Sequence, residues 1–427
     1  MKEQGYKSIR KIMILFIIMT MLVTTSSPLV FAGEDPWTGT ATDEIVIKDT
    51  VTRLSDDVYE HKVITNNKEG NNQNIDFICE VGKSDTIKIV AGYGKDNADS
   101  WSLTPTSEQA KAYEKNHPGE TVVAGINADF FNMGTGQPLG ALVMNGKVYN
   151  PANGRPYFGI TKDGTPVIRT GDNLGDLQTA VGGDVILIDN GKMVTENTAY
   201  GAIKYSRTAI GIKEDGTIVT MVSRGRNDPI SCGRTYLDMA EMLHNEGCIY
   251  ALALDGGGSS TFIGRPEGTT GVQLRNSPDD GAERAVSSSI LIVSTAEPTG
   301  VFDYAQLYPN NELYTPGSQV QFEAKGVDTA GAAMDIPEGV KWALAEDSKN
   351  LGEIDPDTGV FSASDQTGTV TVNMLKEGNV IGKTTIEIVV PDSITFSSDE
   401  MELSIFVQSL NPQNYAASVN DCSRRLL

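Results

Sequence analysis

At 427 residues the chain exceeds a usual single domain, and its 39% hydrophobic and 21% charged residues are a globular composition, which argues against a disordered chain. The formal net charge of −22 argues against nucleic acid or anionic lipid as partner, since both need a basic surface. Four cysteines, Cys79, Cys232, Cys248 and Cys422, are too few and too scattered for a disulfide framework or a zinc site.

In chain order, residues 1–32 read as an export signal. Lys2, Lys7, Arg10 and Lys11 precede the apolar "IMILFIIMTMLV", and "LVFA" offers small residues for cleavage after Ala32. The apolar run is short for a span, so an uncleaved anchor is the lesser alternative. The expected product is secreted and extracellular, with no membrane contact after cleavage.

From about 60 to 100 the segments "HKVITNN", "NIDFICEV" and "DTIKIVAGYG" alternate polar and apolar residues, as strands do. "TSEQAKAYEKNHPGE" predicts a helix opened by Thr106 or Ser107 and stopped at Pro118 and Gly119. After "TVVAGIN" come "GALVMNGKVYN", "YFGITKDGTPVI", "DVILIDNGKMV" and "TAIGIKEDGTIVTMVS". Each sets Asn-Gly or Asp-Gly between apolar runs, the signature of a hairpin.

A second helix fits "TYLDMAEMLHNEG", with Thr235 and Asp238 as a capping box, Gly247 as its stop, and Leu237, Ala240 and Leu243 on one face. Cys232 and Cys248 can pair across this helix or remain buried thiols. The strand that follows runs into "LDGGGSSTF".

After residue 300 the texture changes to short strands with a lone Trp342, resembling the bacterial immunoglobulin-like β-sandwiches appended to surface enzymes. A passive spacer is the simpler role for such a module, glycan or wall binding the richer one. The expected division is a signal peptide at 1–32, a catalytic domain at 33–299, a sandwich at 300–391 and an irregular or truncated tail at 392–427.

Three stretches carry chemistry. "AGINADFFNMGTGQPLG" sets Asn127 and Asp129 at a strand end that opens into a Gly-rich loop, where a rigid sheet can hold a site. An Asx turn that only caps backbone amides is the plain alternative. In "LDGGGSS", Gly256, Gly257 and Gly258 can take positive φ and form an anion-binding nest, with Asp255 at its mouth and Ser259 and Ser260 as donors.

The third stretch is a basic island: Arg207, Arg224, Arg226 and Arg234 lie within 28 residues of an acidic chain, and Arg284 precedes a later strand. Guanidinium groups suit a compact anion such as a phosphodiester. Neither a dinucleotide fingerprint, a P-loop nor a nucleophile elbow is present. His61, His117 and His244 each sit in a polar, surface-like segment, which weakens a Ser-His-Asp reading.

In this order, "INADFF", "GALVMNGKVY", "SRTAIGI", "YLDMAEMLHNEGCIYALALDGGGSSTF" and "ERAVSSSILIV" resemble the phosphodiester glycosidase family over roughly residues 60–295. The resemblance implies an α/β fold, a mixed-sheet domain in which these motifs converge on one pocket, followed by the small all-β immunoglobulin-like sandwich. It implies a hydrolase that cleaves a sugar's anomeric C–O bond to phosphate, of the N-acetylglucosamine-1-phosphate type. The substrate would be a sugar phosphate or polysaccharide of a cell wall, capsule or exopolysaccharide.

Carried over residue by residue, Asp129, Asp255 and Arg207 are the implied catalytic residues. Asn127, Gly256, Gly257, Gly258, Ser259, Ser260 and Arg284 are the implied substrate contacts, with Asp184 a weaker candidate. A non-catalytic glycan-binding or exopolysaccharide assembly protein is the alternative reading. Hard cations such as Ca2+ or Mg2+ favour Asp and Asn oxygens, but no stretch has EF-hand spacing, so no cofactor is assigned.

Overall fold

The four Asn-Gly and Asp-Gly pairs set the architecture, because tight two-residue turns join antiparallel strands only. The computed structural model describes residues 36–70, 72–194 and 199–391, with the backbone of three further strands at 393–396, 403–408 and 414–419. The expected signal segment and Cys422 lie outside the described residues.

The first part of the chain runs β1 (Glu44–Ser55), β2 (Val58–Asn67), β3 (Asn74–Val81), β4 (Ile87–Tyr93), α1 (Thr106–Asn116) and β5 (Thr121–Asn127). Next come β6 (Leu142–Met144), β7 (Lys147–Asn150), β8 (Tyr157–Thr161), β9 (Pro166–Arg169) and β10 (Leu177–Gly182). Then follow β11 (Ile186–Asp189), β12 (Lys192–Met193), β13 (Arg207–Lys213), β14 (Ile218–Ser223) and α2 (Tyr236–Asn245). The part closes with β15 (Cys248–Ala253), β16 (Phe262–Gly264), β17 (Gln273–Leu274) and β18 (Ser288–Ser294).

All four expected hairpins form. Asn145 and Gly146 have φ of 51° and 74°, Asn190 and Gly191 48° and 73°, the left-handed pairs that such turns require. Gly164 and Gly216, at φ 87° and 91°, close the other two.

These strands build an eight-stranded sheet in the order β1-β2-β3-β14-β13-β15-β11-β12 and two five-stranded sheets, β17-β16-β5-β18-β4 and β7-β6-β10-β8-β9. Strand periodicity then feeds two cores at once. Val219 and Met221 of β14 point to α2, joining Met239, Ala240, Met242 and Leu243, while Ile218 and Val222 point the other way. There they meet Ala124, Ile126, Phe262, Ile290 and Ile292 of the second sheet. That sheet's outer face carries Val122, Leu291 and Val293 against Ala110 and Tyr113 of α1. The layers are therefore helix, sheet, sheet, helix.

The expected α/β class is corrected by this count: the described residues are mostly β, 47% strand and 8% helix, with α1 and α2 their two α-helices. The helix signals were sound, but parallel strands need crossovers of a dozen residues or more, and most links here are hairpins. Both helices also differ in detail. α1 has no side-chain cap, because its N-cap falls on Pro105, which carries no acceptor, while the amide and hydroxyl of Ser107 donate to Glu283. The Thr235 and Asp238 capping box of α2 is present, whereas Leu237 is 39% exposed and Tyr236 takes the inward place.

Residues 302–388 form a β-sandwich with its own core, Leu307, Phe322, Trp342, Phe361, Val372 and Ile386 among them. Tyr304 donates to the buried Glu267 and the Asn311 amide to the Asp49 carbonyl, which tie this part to the preceding sheets. His61, expected at the surface, is 1% exposed and pairs with Asp49 at 2.8 Å. Cys79, Cys232 and Cys248 are all free thiols, so Cys232 and Cys248 do not pair.

Candidate active site

Four strand ends meet where the two central sheets face each other. β5 and β15 finish there and β13 and β18 begin there, because β5 pairs antiparallel with β18 and β15 with β13. A backbone bond crosses between the sheets at this edge, from the Asp255 amide to the Ala128 carbonyl at 2.8 Å, while the Leu254 amide donates to the Thr208 carbonyl of β13 in its own sheet at 2.8 Å. Asp129 and Asp255 are thereby brought to one place from positions 126 residues apart in sequence.

Both carboxyls are buried, Asp129 at 1% and Asp255 at 8% exposure. Burial pushes Asp129 up to about 7, with the neighbouring Asp255 raising it further, while the Gly140 amide and Arg155 oppose. Burial likewise pushes Asp255 up to about 6, opposed by Ser259, the Gly256 amide and Arg284. Asp129 Oδ2 accepts from the Gly140 amide at 2.6 Å, and Oδ1 has no hydrogen-bond partner, with Arg155 Nη2 3.9 Å away. A side chain on Gly182 would collide with this carboxylate, so the "VGGD" glycine makes room for it.

Asp184 joins the same cluster. It accepts from the Tyr236 hydroxyl at 2.6 Å and stands 3.4 Å from Arg155 Nη2. Arg155 thus bridges Asp129 and Asp184. Arg207 is 1% exposed, and its Nε and Nη2 donate to the carbonyls of Arg234, Tyr200 and Ile203. Its guanidinium lies 4.3 Å from the Tyr200 ring and 4.4 Å from that of Tyr236, and Nη1 has no hydrogen-bond partner. That unpartnered nitrogen is, like the rest of the side chain, shut off from solvent.

Asn127 is completely buried and spends its whole amide inside the protein. It donates to the Asp255 carbonyl at 2.7 Å and accepts from Thr208 Oγ1 and the Thr261 amide. Ser260 faces Thr208, and Ser259 accepts from Arg284 Nη1 at 3.3 Å.

The glycine triplet serves closeness more than an open nest. Gly257 has φ of 62°, and its amide donates to the Ser206 carbonyl at 2.7 Å; the amides of Ser259 and Ser260 close onto Gly256 and Gly257. A Cβ on Gly256 would stand 2.8 Å from the Ser206 carbonyl oxygen, and one on Gly258 would overlap Arg284.

The basic island does not act as one anion site. Arg234 is buried in ion pairs with Glu44 and Asp76, whereas Arg226 lies over the Tyr205 ring beside the glycine turn. Tyr200, Tyr236, Arg155 and Arg226 complete the cluster; no motif contains Tyr200 or Arg155, and Tyr236 opens a motif without being singled out in it. Arg155 follows an ordinary Asn-Gly turn, and Tyr236 reads as the first residue of a helix. Among the described residues no group of three Asp, Glu, His or Cys side chains is placed to hold a metal ion, and the Asn127 oxygen is already engaged.

Among known proteins, residues 120–293 match the family model described as "Phosphodiester glycosidase". The mouse N-acetylglucosamine-1-phosphodiester alpha-N-acetylglucosaminidase is 30% identical over 162 residues, 32% of this chain and 31% of that protein. The bovine protein of the same name is 31% identical over 183 residues, covering 37% and 34%. The chain thus spans about a third of the length of these curated relatives. The solved zebrafish catalytic domain of that name aligns with 60% of this chain and 86% of its own at 19% identity, with a TM-score of 0.44. The similarity to the phosphodiester glycosidases thus lies in residues 120–293.

Proposed function

We propose that this chain hydrolyses a sugar-1-phosphodiester of the N-acetylglucosamine-1-phosphate type, outside the cell, within a cell-wall, capsular or exopolysaccharide glycan. The activity resides in residues 33–299, with 300–391 as an appended immunoglobulin-like module. The observation that carries the reading is the pair of buried carboxyls, Asp129 and Asp255, set beside Arg155 and Arg284 and pushed up by burial to about 7 and about 6.

The roles divide by surroundings, since Ser259, the Gly256 amide and Arg284 all favour the charged form of Asp255. Asp255, ionised at neutral pH, acts on the sugar side. Asp129 holds a proton for exchange with the phosphate-side oxygen or with water. The anomeric C–O bond breaks, a water oxygen ends on the sugar carbon, and the electron pair leaves with phosphate. A phosphate monoester is a stable leaving anion, so electrostatic help from Arg207, Arg226 and Arg284 matters more than full protonation.

The test is hydrolysis of N-acetylglucosamine-1-phosphodiesters in 18O-labelled water. Label in the sugar supports the proposal, and label in phosphate indicates P–O cleavage instead. Saturable binding without product indicates a glycan-binding or assembly protein. Asp255→Asn and Arg207→Ala are run beside the parent, and equal turnover by all three overturns the site.

A further inference from the structure

Two aspartates of the loop between β17 and β18 are left without a role by this reading. Asp279 and Asp280 each meet one of the arginines that flank the glycine turn. Arg284 places both Nε and Nη2 at 2.7 Å from Asp280 Oδ2, and its Nη1 donates to Ser259. Asp279 accepts from the Ser206 hydroxyl and stands 3.8 Å from Arg226 Nε, with Oδ2 buried and without a hydrogen-bond partner. Arg226 Nη2 comes within 3.9 Å of where a Cβ on Gly257 would sit.

The loop lays Asp280 directly on the triplet. A Cβ on Gly258 would stand 2.5 Å from Asp280 Oδ1, so the glycine is needed for the carboxylate to lie where it does. A carboxylate and a phosphodiester both offer guanidinium a charged acceptor oxygen, the place that Asp280 Oδ2 takes between Nε and Nη2 of Arg284. Asp280 therefore occupies, with the chain's own anion, the arginine and the glycine surface on which a substrate phosphate would dock. The pair is also releasable: the side chains of Arg284 and Asp280 are 35% and 44% exposed, and ion pairs that solvent reaches hold weakly.

We propose that Asp280 is an internal stand-in for the substrate's phosphate, displaced from Arg284 when a phosphodiester binds. This rests on the phosphodiester reading of the site and narrows its substrate class. A neutral glycoside has nothing to exchange for the carboxylate, so the site selects ligands that carry an anion beside the scissile bond. Asp279 stays on Ser206 and keeps the loop in place while Asp280 swings away.

Inorganic phosphate titrated into the full chain by calorimetry tests this in the parent, in Asp280→Asn and in Glu283→Gln. The last variant removes an equal charge from the same loop, on a residue bonded to Ser107 rather than to Arg284. Asp280→Asn is expected to tighten phosphate binding about threefold to fivefold, the range an exposed ion pair allows, and Glu283→Gln to change it by less than about half that. Unchanged or weaker binding by folded Asp280→Asn overturns the proposal, because a carboxylate that merely positioned Arg284 would be missed. An equal gain in both variants overturns it too, as general relief of charge. Tighter phosphate binding with no turnover of any sugar phosphodiester leaves the stand-in and removes the glycosidase reading; turnover with an unmoved Kd does the reverse.

Discussion

The side-chain amide of Asn127 donates to the backbone carbonyl of Asp255 at 2.7 Å, from a position wholly shut off from solvent. With its oxygen held by Thr208 and Thr261, this one residue fastens the end of β5 to β13 and to both sides of the glycine turn. Asn127→Ala leaves a buried amide and carbonyl unpaired, a loss of about 1–3 kcal/mol for each such group. We expect a lower urea midpoint together with a fall in kcat/KM. A variant as stable as the parent would mean that the amide faces substrate instead.

The two carboxyls set the pH dependence. Asp255 must lose its proton, which it does near 6, and Asp129 must keep one, which it does up to about 7. Because Asp255 raises Asp129, the limbs belong to the pair. The expected kcat/KM profile is a narrow bell, falling on the acid side as Asp255 protonates and on the alkaline side as Asp129 ionises. A rate that stays level from pH 5 to 8 would remove both assignments.

Much of this was legible in the chain because the signals are local. Asn145-Gly146 and Asn190-Gly191 require left-handed turns wherever they stand, and Thr235 with Asp238 caps a helix without help from the rest of the fold. Asp129 and Asp255 could be picked out since each ends an apolar strand before glycines. What could not be read was pairing at a distance. Arg155 matters because the hairpins deliver it between Asp129 and Asp184, and Asp280 because a loop folds it onto Gly258. The α/β expectation failed for a related reason, since helix signals say nothing of how many helices lie between strands that pair. His61 lies in a polar stretch, yet it is buried against Trp37 and Asp49.

Asp129 should also weaken the fold it sits in. Its folded value of about 7 lies above the ordinary 3.8, so the stability gained from its proton is complete below about 4 and is lost as pH rises through 7. Above that, an ionised carboxylate is held out of water. Asparagine keeps an acceptor for the Gly140 amide and never ionises. Asp129→Asn is therefore expected to be more stable than the parent at pH 8, by an amount on the order of a few kcal/mol, with the advantage shrinking toward pH 4. Urea unfolding at pH 4, 6 and 8 measures it, and a variant less stable at pH 8 contradicts the buried charge.

Arg155 is the residue by which the environment of Asp129 can be tuned without touching either carboxyl. Its guanidinium lies 3.9 Å from Asp129 Oδ1 and holds that carboxyl lower than burial alone would. Removing the charge in Arg155→Gln should let Asp129 keep its proton to higher pH, so the alkaline limb of kcat/KM moves up while the acid limb, set by Asp255, moves less. Arg155→Lys retains a positive charge and should restore most of the parent profile, although it loses the planar reach to both Asp129 and Asp184. A loss of activity in Arg155→Gln with the alkaline limb unmoved would mean that Arg155 contacts substrate rather than setting the proton affinity of Asp129.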